Sequence, residues 1–232
     1  MPIHAANVRY VCFDADDTLW KNEEFYRQAE QQFARLAAGR MPPAQAIEAL
    51  FNTEMDNLAV FGYGAKSFML SMVQTALQIV PPEQAAPAVQ EILRIGRELI
   101  LHPVELLPGV RSTLEKLAGK YHLSVVTKGD LLDQERKLKN SGLLPLFNHV
   151  EIVSEKTPAA YRALFVRLNA KPQEVLMVGN SLRSDIFPAL QAGAQAAYQP
   201  SPFNWKHEEM PEPQDPPYLK IASLPDLLPV LL

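Results

Sequence analysis

Apolar residues follow two patterns along this chain. Short, mainly apolar runs occur at Val8–Phe13, Leu123–Thr127, Val150–Ser154 and Val175–Gly179, with another at Ala194–Tyr198. None alternates with polar residues, as expected of strands buried on both faces of a parallel sheet. Between the runs, apolar residues recur at helical spacing. Val110–Leu117 and Leu131–Ser141 are two such stretches, and Gly142 is a C-cap candidate for the second. A third opens at Thr157-Pro158, with Thr as N-cap and Pro in the first turn, and continues to Leu168. A fourth opens at Ser184-Asp185 and ends near Gly193. Strands alternating with helices predict right-handed βαβ units and a doubly wound α/β fold with a Rossmann-like parallel sheet.

Residues 21–102 break the alternation. This region has no strand-like run, and its spacing predicts helices over Glu23–Ala38, Pro43–Val60, Ala65–Ile79 and Pro82–Leu101. Pro42-Pro43, Gly62 with Gly64, and Pro81-Pro82 supply the breaks. The predicted organisation is therefore a core of residues 1–20 and 103–232, with an all-helical domain, 21–102, inserted after the first strand. Its stripe of Phe68, Leu70, Met72, Val73 and Leu77 reads as interior packing, and Phe61–Lys66 as a helix–helix turn or contact loop. Pro200–Pro217 is proline-rich and reads as a surface connector, the alternative being a flap that carries Trp205 and His207.

Composition narrows the class. Hydrophobic residues make up 47% and charged residues 21% of 232 residues, which excludes a disordered or fibrous chain. A net charge of −4 gives no basic stripe for nucleic acid. No apolar stretch is long enough to span a bilayer and the N-terminus has no apolar signal region, so the expected location is cytoplasmic. Cys12 is the single cysteine and sits in an apolar run as a core residue.

Four predicted strand ends carry polar groups of complementary kind, and ligands in open α/β sheets bind at such ends. Asp14-Ala15-Asp16-Asp17-Thr18 follows the first strand. There one carboxylate, Asp14, can attack phosphorus, and a second, Asp16, can shuttle the proton. An acidic turn or helix cap is the plainer alternative. Thr127-Lys128-Gly129 offers a hydroxyl and backbone N–H groups for an anion. Lys156 stands between a strand and a helix start, where it can neutralise Asp14 and a phosphoryl group. Asn180 and Asp185, in Gly179-Asn180-Ser181-Leu182-Arg183-Ser184-Asp185, can supply oxygens to Mg²⁺, although Asp185 can also act simply as a helix cap.

In this order the four segments resemble the motifs of the haloacid dehalogenase-like (HAD) hydrolase superfamily. Asp14–Thr18 resembles its first motif, Thr127 its second, Lys156 its third, and Gly179-Asn180 through Asp185 its fourth, with Asn where Asp is common. Leu107-Pro108-Gly109-Val110 is similar to the family's return from its cap. The resemblance implies an α-helical cap after the first motif and a Mg²⁺-dependent phosphatase acting on a small phosphate monoester. It implies Asp14 as nucleophile and metal ligand, and Asp16 as acid/base that offers its backbone carbonyl to the metal. Thr127 and Lys156 would complete the catalytic set. Thr127, Lys128, Gly129 and Lys156 would bind phosphate, and Asn180 and Asp185 would join the metal. The expected partner is a small phosphorylated metabolite, with neither nucleic acid nor membrane, in a monomer or homodimer.

Alternatives remain within the same fold. A sugar-phosphate mutase shares these motifs. A dehalogenase characteristically lacks the second Asp, which is present here as Asp16. A phosphonate hydrolase needs an imine-forming lysine, for which Lys66 is the candidate. Outside catalysis, a phosphate-binding protein that retains the fold is the other class.

Overall fold

The computed structural model describes residues 3–232. The strands are β1 (Tyr10–Phe13), β2 (His122–Lys128), β3 (His149–Val153), β4 (Val175–Gly179), β5 (Gln195–Tyr198) and β6 (Leu219–Lys220). They form one parallel sheet in the order β3-β2-β1-β4-β5-β6. β1 lies between β2 and β4, so the winding direction reverses at its carboxyl end. That makes the tip of β1 a topological switch point, where a crevice opens.

The short apolar runs serve both faces of this sheet. Val11, Phe13, Leu123, Val125, Leu176 and Val178 join one buried cluster. Their neighbours Cys12, Val126, Val175 and Met177 join another. Successive side chains point to opposite faces, so a strand covered on both sides cannot alternate apolar with polar. Cys12 is buried as expected, and that burial pushes its thiol up to about 12. β6 was not anticipated. With two residues, one of them exposed, it leaves no period to read.

The chain divides into two compact units. The first takes the chain up to Glu23 with Val104–Lys128 and Gln134–Leu232. It holds the sheet and the helices α5 (Val110–Ala118), most of α6 (Leu131–Asn140), α7 (Pro158–Arg167), α8 (Phe187–Gln191) and α9 (Leu228–Leu231). The second takes Glu24–Pro103 with Gly129–Asp133. It contains nearly all of α1 (Glu23–Leu36), and α2 (Pro43–Phe61), α3 (Ala65–Ile79) and α4 (Pro82–Leu101).

The helical unit packs around Phe33, Leu50, Phe68, Met72, Ile92 and Ile95. Gly96 lets α4 approach α3, because a Cβ there would lie 2.5 Å from Met69 Sδ. The expected apolar stripe holds only in part. Phe68 and Met72 are buried, but Leu70 and Leu77 are 45% and 55% exposed. They lie two and nine positions after Phe68, off the face that a 3.6-residue period keeps inward. Lys66 pairs with Asp130 at 2.9 Å in this unit. No helix among the described residues is long and apolar enough to cross a membrane.

Candidate active site

Asp14 directly follows β1, and its N–H donates to the Val178 carbonyl at 2.9 Å, so pairing with β4 continues into the first acidic residue. The chain then turns sharply. Asp17 adopts φ 60° and accepts hydrogen bonds from the N–H groups of Asn22 and Glu23, near the start of α1. Burial pushes the Asp17 carboxyl up to about 7, against the pull of those N–H donors. Asp17 is thus the capping acid of the motif, and it leaves Asp14 and Asp16 for the crevice.

Asp14 is 7% exposed and Lys156 4%. The Lys156 ammonium lies 2.5 Å from Asp14 Oδ1 and 2.7 Å from Asp185 Oδ1. Burial pushes Asp14 up to about 7; Lys156 opposes this, while the charges of Asp185 and Asp16 add to it. Burial alone would pull Lys156 down, but the two carboxylates outweigh it and hold its pKa above the ordinary value. One ammonium shared by two buried carboxylates leaves a negative charge in surplus, which a cation would relieve.

The Asn180 amide lies where such a cation would be needed. One end of it is 3.2 Å from Asp14 Oδ2, 3.2 Å from the Thr18 hydroxyl and 3.3 Å from the Asp16 carbonyl oxygen. With nitrogen at that end, the amide donates to all three. With oxygen there, a carboxylate oxygen, a carbonyl oxygen and an amide oxygen converge with only the Thr18 hydroxyl to share among them. Oxygen donors of that kind fit Mg²⁺. Among the described residues no group of three or more His, Cys, Asp or Glu side chains is arranged for a metal. The mixed set of one carboxylate, one main-chain carbonyl and one amide lies outside that pattern.

Asp185 is placed differently from the N-cap that its position suggested. Ser181 is the N-cap, accepting from the Ser184 N–H, and a π-helical turn, Leu182–Ile186, runs into α8. Asp185 points back instead. Its Oδ2 accepts from the Ser181 N–H at 3.0 Å and its Oδ1 from Lys156. Gly179 permits this return, since a Cβ there would lie 2.5 Å from that of Asp185. Both oxygens of Asp185 are engaged, whereas Asn180 faces Asp14.

The Asp16 carboxylate is held by three donors: Trp20 Nε1 at 2.7 Å, Gln134 Nε2 at 2.9 Å and Lys137 Nζ at 3.0 Å. Gln134 also donates to the Thr127 hydroxyl at 2.9 Å and to the Lys128 carbonyl at 2.6 Å. The residues that grip Asp16 were not singled out from sequence. Gln134 and Lys137 are three apart on α6, a spacing that places them on one helix face, and this was the available signal. Lys128 ends β2, but its ammonium reaches Glu208 at 2.6 Å and Ser184 at 2.9 Å. Gly129, expected beside it in an anion cradle, has φ 134° and belongs to the stretch grouped with the helical unit.

A doubly wound parallel sheet with acid, hydroxyl, lysine and amide at four strand ends defines a class, and the comparisons with known proteins agree. The haloacid dehalogenase-like hydrolase family matches residues 8–193, and the chain belongs to that family. It is 32% identical over 133 residues to glyceraldehyde 3-phosphate phosphatase of Pyrococcus furiosus, a match that spans about half of each protein, 54%. It is 24% identical to the pyrimidine 5′-nucleotidase YjjG of Escherichia coli K12, over 94% of this chain and 95% of that one. Among solved structures, a haloacid dehalogenase-like family hydrolase from Xanthomonas campestris superposes with a TM-score of 0.84 at 35% identity, covering 97% of this chain and 92% of that one.

Proposed function

We propose that this chain is a Mg²⁺-dependent phosphatase that hydrolyses a small phosphate monoester through an aspartyl-phosphate on Asp14. One observation carries the reading: Asp14 directly follows the central strand, with one oxygen on Lys156 and the other 3.2 Å from the Asn180 amide. A carboxylate so placed is positioned at a switch point, and its counter-ion remains charged. Asp14 attacks phosphorus as the bond to the leaving oxygen breaks, and Asp16 gives that oxygen its proton. A water then attacks the aspartyl-phosphate, Asp16 takes the water's proton, and Asp14 is released with orthophosphate. Lys156 and the Thr127 hydroxyl bind phosphoryl oxygens.

Asp14 Oδ2, the Asp16 carbonyl and Asn180 are the groups that would hold Mg²⁺, with Asp185 acting through Lys156 and Ser181. When bound, the ion neutralises the surplus charge and polarises the phosphoryl group. The helical unit, residues 21–102 in the sequence reading, is assigned the role of cap and the choice of substrate.

The test is hydrolysis of p-nitrophenyl phosphate with Mg²⁺ and with EDTA, with Asp14→Asn as the control. Activity that survives both EDTA and the substitution would refute the mechanism. A panel of phosphorylated metabolites, including glyceraldehyde 3-phosphate and pyrimidine 5′-monophosphates because relatives are named for them, then ranks substrates by kcat/KM.

A further inference from the structure

The loop between β5 and β6 sends one carboxylate back toward the strand ends, and it belongs to none of the four motif segments. Glu208 follows directly on the proline-rich connector's Trp205–His207 stretch, in a short 3₁₀ turn, Lys206–Glu208. Its Oε1 accepts from Lys128 Nζ at 2.6 Å. Its Oε2 accepts from the Ser181 hydroxyl at 2.5 Å and the Ser184 hydroxyl at 2.6 Å. Lys128 Nζ closes the circuit on Ser184 at 2.9 Å. Burial opposes the charge on Glu208, but Lys128 and the two hydroxyls overcome it and hold its carboxyl down at about 2. It is therefore an anion with three charge-assisted partners, the stronger kind of hydrogen bond.

Those partners stand at the end of β2 and in the turn that follows β4. Ser181 is the pivot: its hydroxyl donates to Glu208, while its N–H donates to Asp185 Oδ2. Asp185 Oδ1 accepts from Lys156, which also donates to Asp14. An unbroken line of hydrogen bonds thus runs from Glu208 through Ser181, Asp185 and Lys156 to Asp14. Glu208 also lines, with Asn180, Tyr198 and Met210, a cavity of about 470 Å³, so the loop and Asn180 share one wall.

We infer that Glu208 is a positioning residue for this site, pinning Lys128 and the Ser181–Ser184 turn so that Asn180, Asp185 and Lys156 hold their places around Asp14. The inference deepens the phosphatase reading and rests on it. A surface connector needs no half-buried, fully partnered anion at its centre, and an acid shared between the end of β2 and the turn after β4 does more than tether a loop. Residues that orient a metal's ligands from behind typically change affinity or activity by about 10–100-fold when altered.

The experiment compares Glu208→Gln and Glu208→Ala with Glu212→Gln, which removes an exposed ion pair to Lys220 in the same loop. Three quantities are read: kcat and KM on p-nitrophenyl phosphate, Mg²⁺ affinity by calorimetry without substrate, and Tm. Gln keeps an oxygen for the two hydroxyls and loses the charge for Lys128; Ala loses both. The expected order of kcat and of Mg²⁺ affinity is wild type, then Gln, then Ala. The Ala variant should be down by about 10-fold or more, and Glu212→Gln should match wild type.

Should Glu208→Ala unfold, Ser181→Ala, which removes one hydroxyl from the same carboxylate, must weaken Mg²⁺ binding in its place. Folded Gln and Ala variants with wild-type kcat and Mg²⁺ affinity would overturn the inference. So would variants that lose only Tm. If Asp14→Asn were fully active, the phosphatase reading itself would fail. If Asp14→Asn is inactive while the Glu208 variants are normal, only the positioning role falls.

Discussion

The two units bury hydroxyls and amides alike but differ in how they bury charge. In the sheet unit buried charges pair with one another, Lys156 with Asp14 and Asp185, and the half-buried Glu208 pairs with Lys128. In the helical unit the buried polar groups are mostly neutral amides and hydroxyls. Asn57 donates to Ser71 and Gln74, and the Thr75 hydroxyl lies within hydrogen-bond distance of the Thr53 hydroxyl and the Ser71 carbonyl, which knits α2 to α3. One exception is Glu54, whose Oε2 is buried with no hydrogen-bond partner among the described residues. Burial, reinforced by the charge of Glu30, pushes its carboxyl up to about 8. A neutral ladder satisfies a core at modest cost. A buried ion pair carries a desolvation penalty that packing alone rarely repays, so its place at the strand ends calls for a chemical reason.

The largest expected effect breaks the sheet unit at its centre. Asp14→Asn should reduce turnover to background in a phosphate-release assay. Asp16→Asn should slow kcat by about 10²–10⁴-fold, the usual value of acid/base help; an unchanged kcat would remove Asp16 from the mechanism. Lys156→Met leaves two buried carboxylates without their cation. Breaking a buried pair from one side costs about 3–5 kcal/mol, so urea unfolding at pH 7 should show a large loss, partly recovered by Mg²⁺.

The smallest effect sharpens the contrast from the helical side. The Glu54 carboxyl is raised from 4.5 to about 8 on folding, so the folded state holds its proton more tightly. Its protonated form is favoured at low pH, and stability is lost as pH rises from about 4.5 through about 8. Glu54→Gln should flatten that slope and stabilise the protein at pH 8. Denaturation midpoints at pH 5 and pH 8 check both. If the two proteins show the same pH dependence, Glu54 is not the buried acid described here.

Much of the fold was legible because it rests on short-range pattern. Short, mainly apolar runs of four to seven residues and helices bounded by Pro and Gly survive in any tertiary context that buries them. Asp14 was legible for a similar reason, as a charge directly after a buried strand. β6 and the π-helical turn at Leu182–Ile186 were not, since neither has a period of its own. Reading Asp185 as a helix cap followed from its neighbours in sequence, but Ser181, four residues earlier, holds that position and turns Asp185 toward Lys156.

What the chain determines by itself is which stretches become strands and helices and which chemical groups stand at their ends, because those depend on residues within a few positions of one another. Tertiary structure decided which oxygen meets which donor. Glu208 reaches a lysine 80 positions away and Gln134 an aspartate 118 positions away. Hydrogen bonds act over about 3 Å, so such partnerships exist only after the whole sheet has brought the strand ends together, and no local pattern can announce them.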